Sequence, residues 1–247
     1  MMTLRKLEAG ALALVTGASS GIGAALAEQL VGKGCRVIAA ARRADRLGAL
    51  ARRLGPLCRP VALDVNDDAS VGSLIERLPA EWRDIDILVN NAAHDIGGKV
   101  PFGEGRVGDW LAIIETNVAG MLRVTGALLP TILAQGGGQI VNIGSVSGVS
   151  AVPNEAAYIA SKHAVNGFSK ALRLDYLGRI RVIEILPGIV RTGFAEARWR
   201  GDAAKAAAYY DSFPVCLTPE DIAGCVVFAL AQPANVTIAE LLVLPSE

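Results

Sequence analysis

Residues 11–33 read A-L-A-L-V-T-G-A-S-S-G-I-G-A-A-L-A-E-Q-L-V-G-K, and this stretch decides the fold. Ala11 to Thr16 is an apolar run of strand length, and Ala24 to Lys33 carries apolar residues at helical spacing. Between them stand Gly17, Gly21 and Gly23. Without side chains, these residues let the backbone turn tightly and approach a ligand closely. The N–H groups and macrodipole at the start of the following helix then favour a phosphate. The spacing is G-x-x-x-G-x-G, which differs from the common G-x-G-x-x-G, and no Lys-Ser/Thr follows to make a nucleoside-triphosphate loop.

Outward from this unit the alternation of strand and helix continues. Cys35–Ala41, Pro60–Leu63, Asp86–Asn90, Gln139–Gly144, Ile180–Leu186 and Ala239–Leu244 read as strands. Asp45–Leu54, Asp68–Leu78, Val107–Gln135 and Glu155–Leu177 read as helices, and Thr218-Pro219 opens another as N-cap and first helical residue. The pattern predicts an α/β fold: a single Rossmann-type, doubly wound parallel sheet of about seven strands with helices on both faces. One domain is expected over residues 1–247, with a partly helical, substrate-side insertion at about 190–215.

The composition agrees. Of 247 residues, 52% are hydrophobic, as suits a parallel sheet covered on both faces. Lys plus Arg equals Asp plus Glu at 24 each, so no broad positive field speaks for nucleic acid or an anionic membrane. The cysteines at 35, 58, 216 and 225 form no CxxC, and only His94 and His163 could join them on a metal. They read as buried thiols of a reducing compartment. No apolar run is read as a membrane span. Arg5 and Lys6 before Ala9–Val15 faintly suggest a leader, but Glu8 interrupts it. The expected location is the cytoplasm.

Two further stretches carry chemistry. Strand two ends A-A-A-R-R, so Ala41 stands where dinucleotide folds place an acid for the ribose 2′-hydroxyl. Arg42 and Arg43 follow, and two guanidinium groups suit a 2′-phosphate. Tyr158 and Lys162, four apart on the predicted helix, share one face. An ammonium beside a phenol favours the phenolate, making the pair a proton donor and acceptor for an alcohol or ketone.

In order and spacing, Thr16-Gly17-x-x-x-Gly21-x-Gly23, Asp64, Asn90-Asn91-Ala92, Asn117, Ser145, Tyr158-x-x-x-Lys162 and Pro187-Gly188 resemble the short-chain dehydrogenase/reductase family. The resemblance implies an NADP(H)-dependent oxidoreductase, usually a homotetramer, with a small-molecule substrate. Ser145 would hold the substrate oxygen and Tyr158 would pass the proton. Lys162 would lower the tyrosine pKa and hold the nicotinamide ribose, and Asn117 would keep a relay water. The cofactor would lie on Gly17, Ser19, Ser20, Gly21, Ile22 and Gly23, then on Arg42 and Arg43. Asp64 would meet the adenine edge, with Val65 beside it. Asn91, Ala92, Tyr158 and Lys162 would flank the nicotinamide half, closed by Pro187, Gly188, Val190 and Thr192.

Local text such as Leu78-Pro79-Ala80-Glu81-Trp82 and Arg198-Trp199-Arg200-Gly201-Asp202 is similar to the NADP-dependent 3-hydroxy acid (serine-type) dehydrogenases, a subgroup that includes sulfoacetaldehyde reductases. There Arg198 would meet a carboxylate or sulfonate, beside Ser145 and Tyr158. Ala93 replaces the family's usual glycine. Asp95 and Glu155 put acids near the expected pocket mouth, where they disfavour a purely anionic substrate and suit an amino group. The expected function is interconversion of a small polar alcohol (a 3-hydroxy acid, serine-like compound or amino alcohol) with its carbonyl. A 3-oxoacyl thioester or broader carbonyl remains an alternative, with Arg191, Arg198 and Arg200 as a carrier-protein patch. A non-catalytic NADPH-binding sensor would show a degraded catalytic set.

Overall fold

In β1 (Leu12–Thr16) every residue is buried, and alternate side chains enter opposite cores. Ala13 and Val15 join Leu26 and Leu30 of α1 (Gly21–Gly32), Leu47 of α2 (Ala44–Leu54) and Val226 of α9 (Pro219–Leu230). Leu12 and Leu14 join Val124 and Leu128 of α5 (Met121–Ala134) and Leu172 of α6 (Ala156–Asp175). Both faces are therefore covered, which is why the strand reads as a continuous apolar run. A side chain such as Leu14, fully buried, stabilises by about 1.5–3 kcal/mol relative to exposure.

The computed structural model describes residues 7–246; Arg5 and Lys6 lie outside them. The remaining strands are β2 (Arg36–Ala41), β3 (Cys58–Ala62), β4 (Ile87–Asn90), β5 (Gly138–Ile143), β6 (Ile180–Pro187) and β7 (Glu240–Val243). All seven are parallel in the order β3-β2-β1-β4-β5-β6-β7. Leu14 of β1 pairs with Ile38 of β2 on one side and Leu88 of β4 on the other. The strand order reverses between β1 and β4, which opens a crevice at their carboxyl ends.

Two predicted helices differ. The helix expected at Asp68–Leu78 survives only as α3 (Asp68–Gly72). Beyond Gly72 the chain runs on in turns, and Arg77 donates to the carbonyls of Ala62 and Ser70. The stretch 107–135 is split into α4 (Val107–Ile114), a π turn (Glu115–Gly120) and α5. By length and hydropathy, Val107–Ala134 would suffice to cross a membrane, which corrects the sequence reading. One face of it packs in the cores, however, through Trp110, Asn117, Val124 and Leu128. The insertion holds α7 (Phe194–Arg198) and α8 (Ala203–Asp211) around Ala195, Ala206 and Tyr210. At α9 the Thr218 hydroxyl and the Asp221 side chain cap each other's backbone N–H, with Pro219 at the first position.

Candidate active site

The crevice is braced by Thr16, the last residue of β1. Its hydroxyl donates to Val89 O (3.2 Å) and accepts the N–H groups of Asn91 (2.9 Å) and Ala92 (3.0 Å). The Asn91 amide donates to Thr16 O (2.8 Å). The Asn91 amide thus ties the ends of β1 and β4 together, and the residue also lines the cleft where the cofactor is expected. A Cβ on Gly17, whose φ is +67°, would stand 2.8 Å from Asn91 Nδ2, and one on Gly23 would stand 2.6 Å from Gly17 O. The glycines are required as much by this brace as by a ligand. Gly21 has a φ of +54° and lies against Thr192.

Ser20 occupies the N-cap of α1 without capping it. Its hydroxyl instead accepts from Arg43 Nη2 (2.7 Å), which also reaches Ser19 Oγ (2.8 Å). The helix's first N–H groups and dipole are thereby left for an anion. Arg42, Arg43 and Arg46 line the same end of a cleft of about 890 Å³. Burial, then the like charges of Arg46 and Arg42, pull the Arg43 guanidinium below its usual range. Three crowded cations with no acid at Ala41 fit a phosphate dianion, and hence the 2′-phosphate of NADP(H). Arg46 was not singled out in the sequence; its place one turn past Arg42 on α2 was the available signal. Farther along, Asp64 accepts from Asn66 N–H (3.0 Å), and Ile22, Val65, Ala92, Pro187, Gly188, Val190 and Thr192 join the lining.

α6 carries Tyr158 and Lys162 into the middle of the cleft. Lys162 is buried; its Nζ donates to Ile143 O (2.9 Å) and stands 5.8 Å from the Tyr158 ring centre. The Ser145 side chain, just past β5, lines the same cleft as the phenol and accepts Ser147 N–H (3.1 Å). The sequence expectation that Lys162 makes the phenol acidic is not what this protein surface does alone. Burial pushes Tyr158 well above its usual range; Ser145 and Arg198 pull it back, while Asp95 and Glu155 push it further up. Burial also brings Lys162 down to about 8, against the opposing pull of Glu184. Glu184, fully buried on β6, accepts from Asn166 Nδ2 (2.9 Å).

Asn117 sits in the π turn. Its Oδ1 accepts His94 N–H (2.9 Å), and its Nδ2 donates to His94 O (3.0 Å) and Ser161 Oγ (3.1 Å). The side chain therefore braces His94 and α6, which leaves the second lone pair of Oδ1 for the expected relay water. A separate cavity of about 10 Å³, close to what one water needs, lies between Asn117, Asn90 and Lys162. His94 lines the main cleft and shares a hydrogen bond with Ala112 O, whereas His163 is exposed and bonds Ile159 O.

The substrate end is built around Arg198. Its Nε donates to Asp95 Oδ2 (2.6 Å), and its Nη1 forms an ion pair with Glu155 Oε1 (3.2 Å). Lys99 Nζ meets the same Glu155 oxygen at 2.8 Å. The rings of Tyr158, Phe194, Trp199 and Tyr209 lie 5.2–5.9 Å from the guanidinium carbon. Burial works against the Arg198 charge, yet Asp95 and Glu155 hold its pKa above the usual value. One expectation is corrected here and another narrowed. Asp95 and Glu155 are buried in ion pairs with Arg198, so neither stands as an unpaired acid at the pocket mouth. Of the arginines named for a carrier-protein patch, Arg198 is buried in its ion pairs, while Arg191 and Arg200 stay about half exposed beside Asp211 and Asp109. Lys99 and the aromatic rings were missed because nothing local to them in the chain marks a site.

A phosphate-ready glycine turn, a cationic 2′ end and a half-buried phenol that shares the cleft with Ser145 and Lys162 define a dinucleotide-dependent alcohol/carbonyl oxidoreductase. The family model described as short chain dehydrogenase matches residues 11–203, and the chain belongs to that family. An NADP-dependent 3-hydroxy acid dehydrogenase of Salmonella typhi is 40% identical over 236 residues, 95% of this chain and 94% of the relative. Another, of Schizosaccharomyces pombe, is 40% identical over 245 residues, 96% and 93% of the two chains. Among solved structures, the closed form of serine dehydrogenase complexed with NADP+ superposes with a TM-score of 0.92 at 39% identity, covering 95% and 94%. The chain is an NADP-dependent oxidoreductase acting on CH–OH groups of small alcohols.

Proposed function

We propose that the enzyme interconverts a small polar alcohol (a 3-hydroxy acid, a serine-like compound or an amino alcohol) and its carbonyl, with Tyr158 as proton donor and acceptor. The convergence of Tyr158, Ser145 and Lys162 in one cleft, with Lys162 Nζ 5.8 Å from the Tyr158 ring centre, carries this reading. NADPH, when bound, supplies the hydride, and NADP+ accepts it in the reverse direction. Ser145 fixes the substrate oxygen and steadies the negative charge that grows on it. Tyr158 hands that oxygen its proton during reduction and takes it during oxidation. Lys162, held by Ile143 O, favours the phenolate from one helical turn away, and Asn117 keeps the His94 segment and α6 in register. Gly17, Ser19, Ser20, Gly21, Ile22 and Gly23 receive the pyrophosphate, Arg42 and Arg43 with Arg46 the 2′-phosphate, and Asp64 and Val65 the adenine. Arg198 belongs to the substrate.

The whole chain acts as one catalytic domain in the cytoplasm. The exposed apolar residues Val107, Leu111 and Leu122 along α4 and α5 support assembly into a homotetramer. A panel of small hydroxy acids, amino alcohols, sulfonates and acyl thioesters, assayed by NADPH oxidation and NADP+ reduction, tests the reading. Turnover confined to thioesters would overturn the substrate class, and turnover with NADH preferred would overturn the roles of the arginines.

A further inference from the structure

The four charges at the substrate end cancel: Arg198 and Lys99 against Asp95 and Glu155. Only Lys99 is appreciably exposed, at 31% of its side chain; the other three lie at 6% or less. A lone buried guanidinium would be a receptor for a carboxylate. This one has its Nε edge closed by Asp95, an Nη1 facing Glu155, and aromatic rings around it.

We propose that this neutral quartet selects substrates of no net charge, zwitterionic or uncharged hydroxy compounds, over simple carboxylate anions, and that Asp95 and Glu155 are the residues that set the choice. The proposal rests on the small-alcohol reading above. A carboxylate entering alone meets two cations and two anions at similar range, so the attractions and repulsions largely offset each other. Its own desolvation is then left uncompensated. A zwitterion brings both signs and meets both, the carboxylate toward Lys99 and Arg198 and the ammonium toward the Glu155 that pairs with them on the cleft wall. An uncharged alcohol brings nothing that needs a counter-charge. Asp95 acts on the substrate through Arg198 and Glu155 from the cleft wall, which makes them specificity residues and leaves the proton chemistry to Tyr158.

Serine and 3-hydroxypropionate share a carbon skeleton and differ by one amino group, so their kcat/KM ratio reads the rule directly. The wild-type enzyme should favour serine by about tenfold or more. Asp95→Asn keeps the shape, leaves the pocket one positive charge in excess and should move the ratio toward 3-hydroxypropionate by about tenfold, chiefly through KM. Glu155→Gln should move it the same way, and it decides the matter if Asp95→Asn does not fold. A merely structural role would lower both rates alike and leave the ratio in place. Wild-type preference for 3-hydroxypropionate, or a ratio that neither variant shifts, overturns the proposal. If neither compound is turned over, the small-alcohol reading fails separately. The charge rule is then read from inhibition of whichever carbonyl reduction the enzyme performs, and stronger inhibition by butyrate than by butyramide overturns it.

Discussion

On the cofactor side of the cleft, the ligand-facing groups come from short stretches just past β1, β2 and β3, and their charge is unbalanced: Arg42, Arg43 and Arg46 gather with no acid at Ala41. On the substrate side, the charged groups come from positions 95, 99, 155 and 198, and they cancel. The first half is set to receive a dianion and the second is already charge-balanced. The difference separates affinity from selectivity: one side holds a cofactor by surplus charge, and the other discriminates substrates by having none to spare.

Tyr158 stands at the border of the two halves, and its replacement gives the largest expected effect. Tyr158→Phe removes the proton donor but keeps the ring that packs on Phe194. Turnover should fall by about a thousandfold, while NADPH binding, followed by fluorescence titration, stays within a factor of a few. Equal losses in both would mean that the halves are not separable at this residue. Next in size is Arg43→Ala, which removes the guanidinium bonded to Ser19 and Ser20. The KM for NADPH should rise by about ten- to a hundredfold, with that for NADH nearly unchanged, since charge-assisted hydrogen bonds to a phosphate are lost. Arg42→Ala should do less, because it makes none of these serine contacts. A parallel rise for both cofactors would break the picture of a surplus charge reserved for the 2′-phosphate.

The same contrast explains what the sequence disclosed. The sheet and the cofactor side were legible because each piece is local: an apolar run, a glycine turn, two arginines in a row. Backbone chemistry demands those residues at those places, so Gly17 and Gly23 read correctly even though the clash with Asn91 was not foreseen. Asn91 and Asn117 were recognised by their motifs, but their side chains turned out to brace the backbone. No spacing reveals where an amide points. The acids Asp95 and Glu155 were noticed and misread as free, because their partners lie on other segments: Arg198 is 103 residues beyond Asp95. The π turn at Glu115–Gly120 was invisible for a similar reason, since a helical period continues through it almost undisturbed.

The last effect concerns Lys162 and is read in stability, not turnover; it tests whether the catalytic centre carries a cost that the cofactor cradle does not. Burial holds this lysine at about 8 in the fold, against 10.5 for an ordinary lysine. Between those two pH values the unfolded chain binds the proton more strongly than the folded one, so raising the pH through the window stabilises the wild-type fold. Below pH 8 the full penalty of a buried cation is present, and above 10.5 it is gone. Lys162→Met has no such group. The melting temperature of the wild type relative to this variant should therefore climb as pH rises from about 8 to 10.5, by the equivalent of about 3 kcal/mol, or roughly 10 °C. The relative measure matters, because the variant also strips Ile143 O of its donor, a loss that does not depend on pH. Glu184→Gln should start the climb at a lower pH, since the charge of Glu184 opposes the effect of burial. A flat difference across the window would mean that the ammonium is well solvated through the cleft, and that the catalytic centre is held as comfortably as the glycine turn beside it.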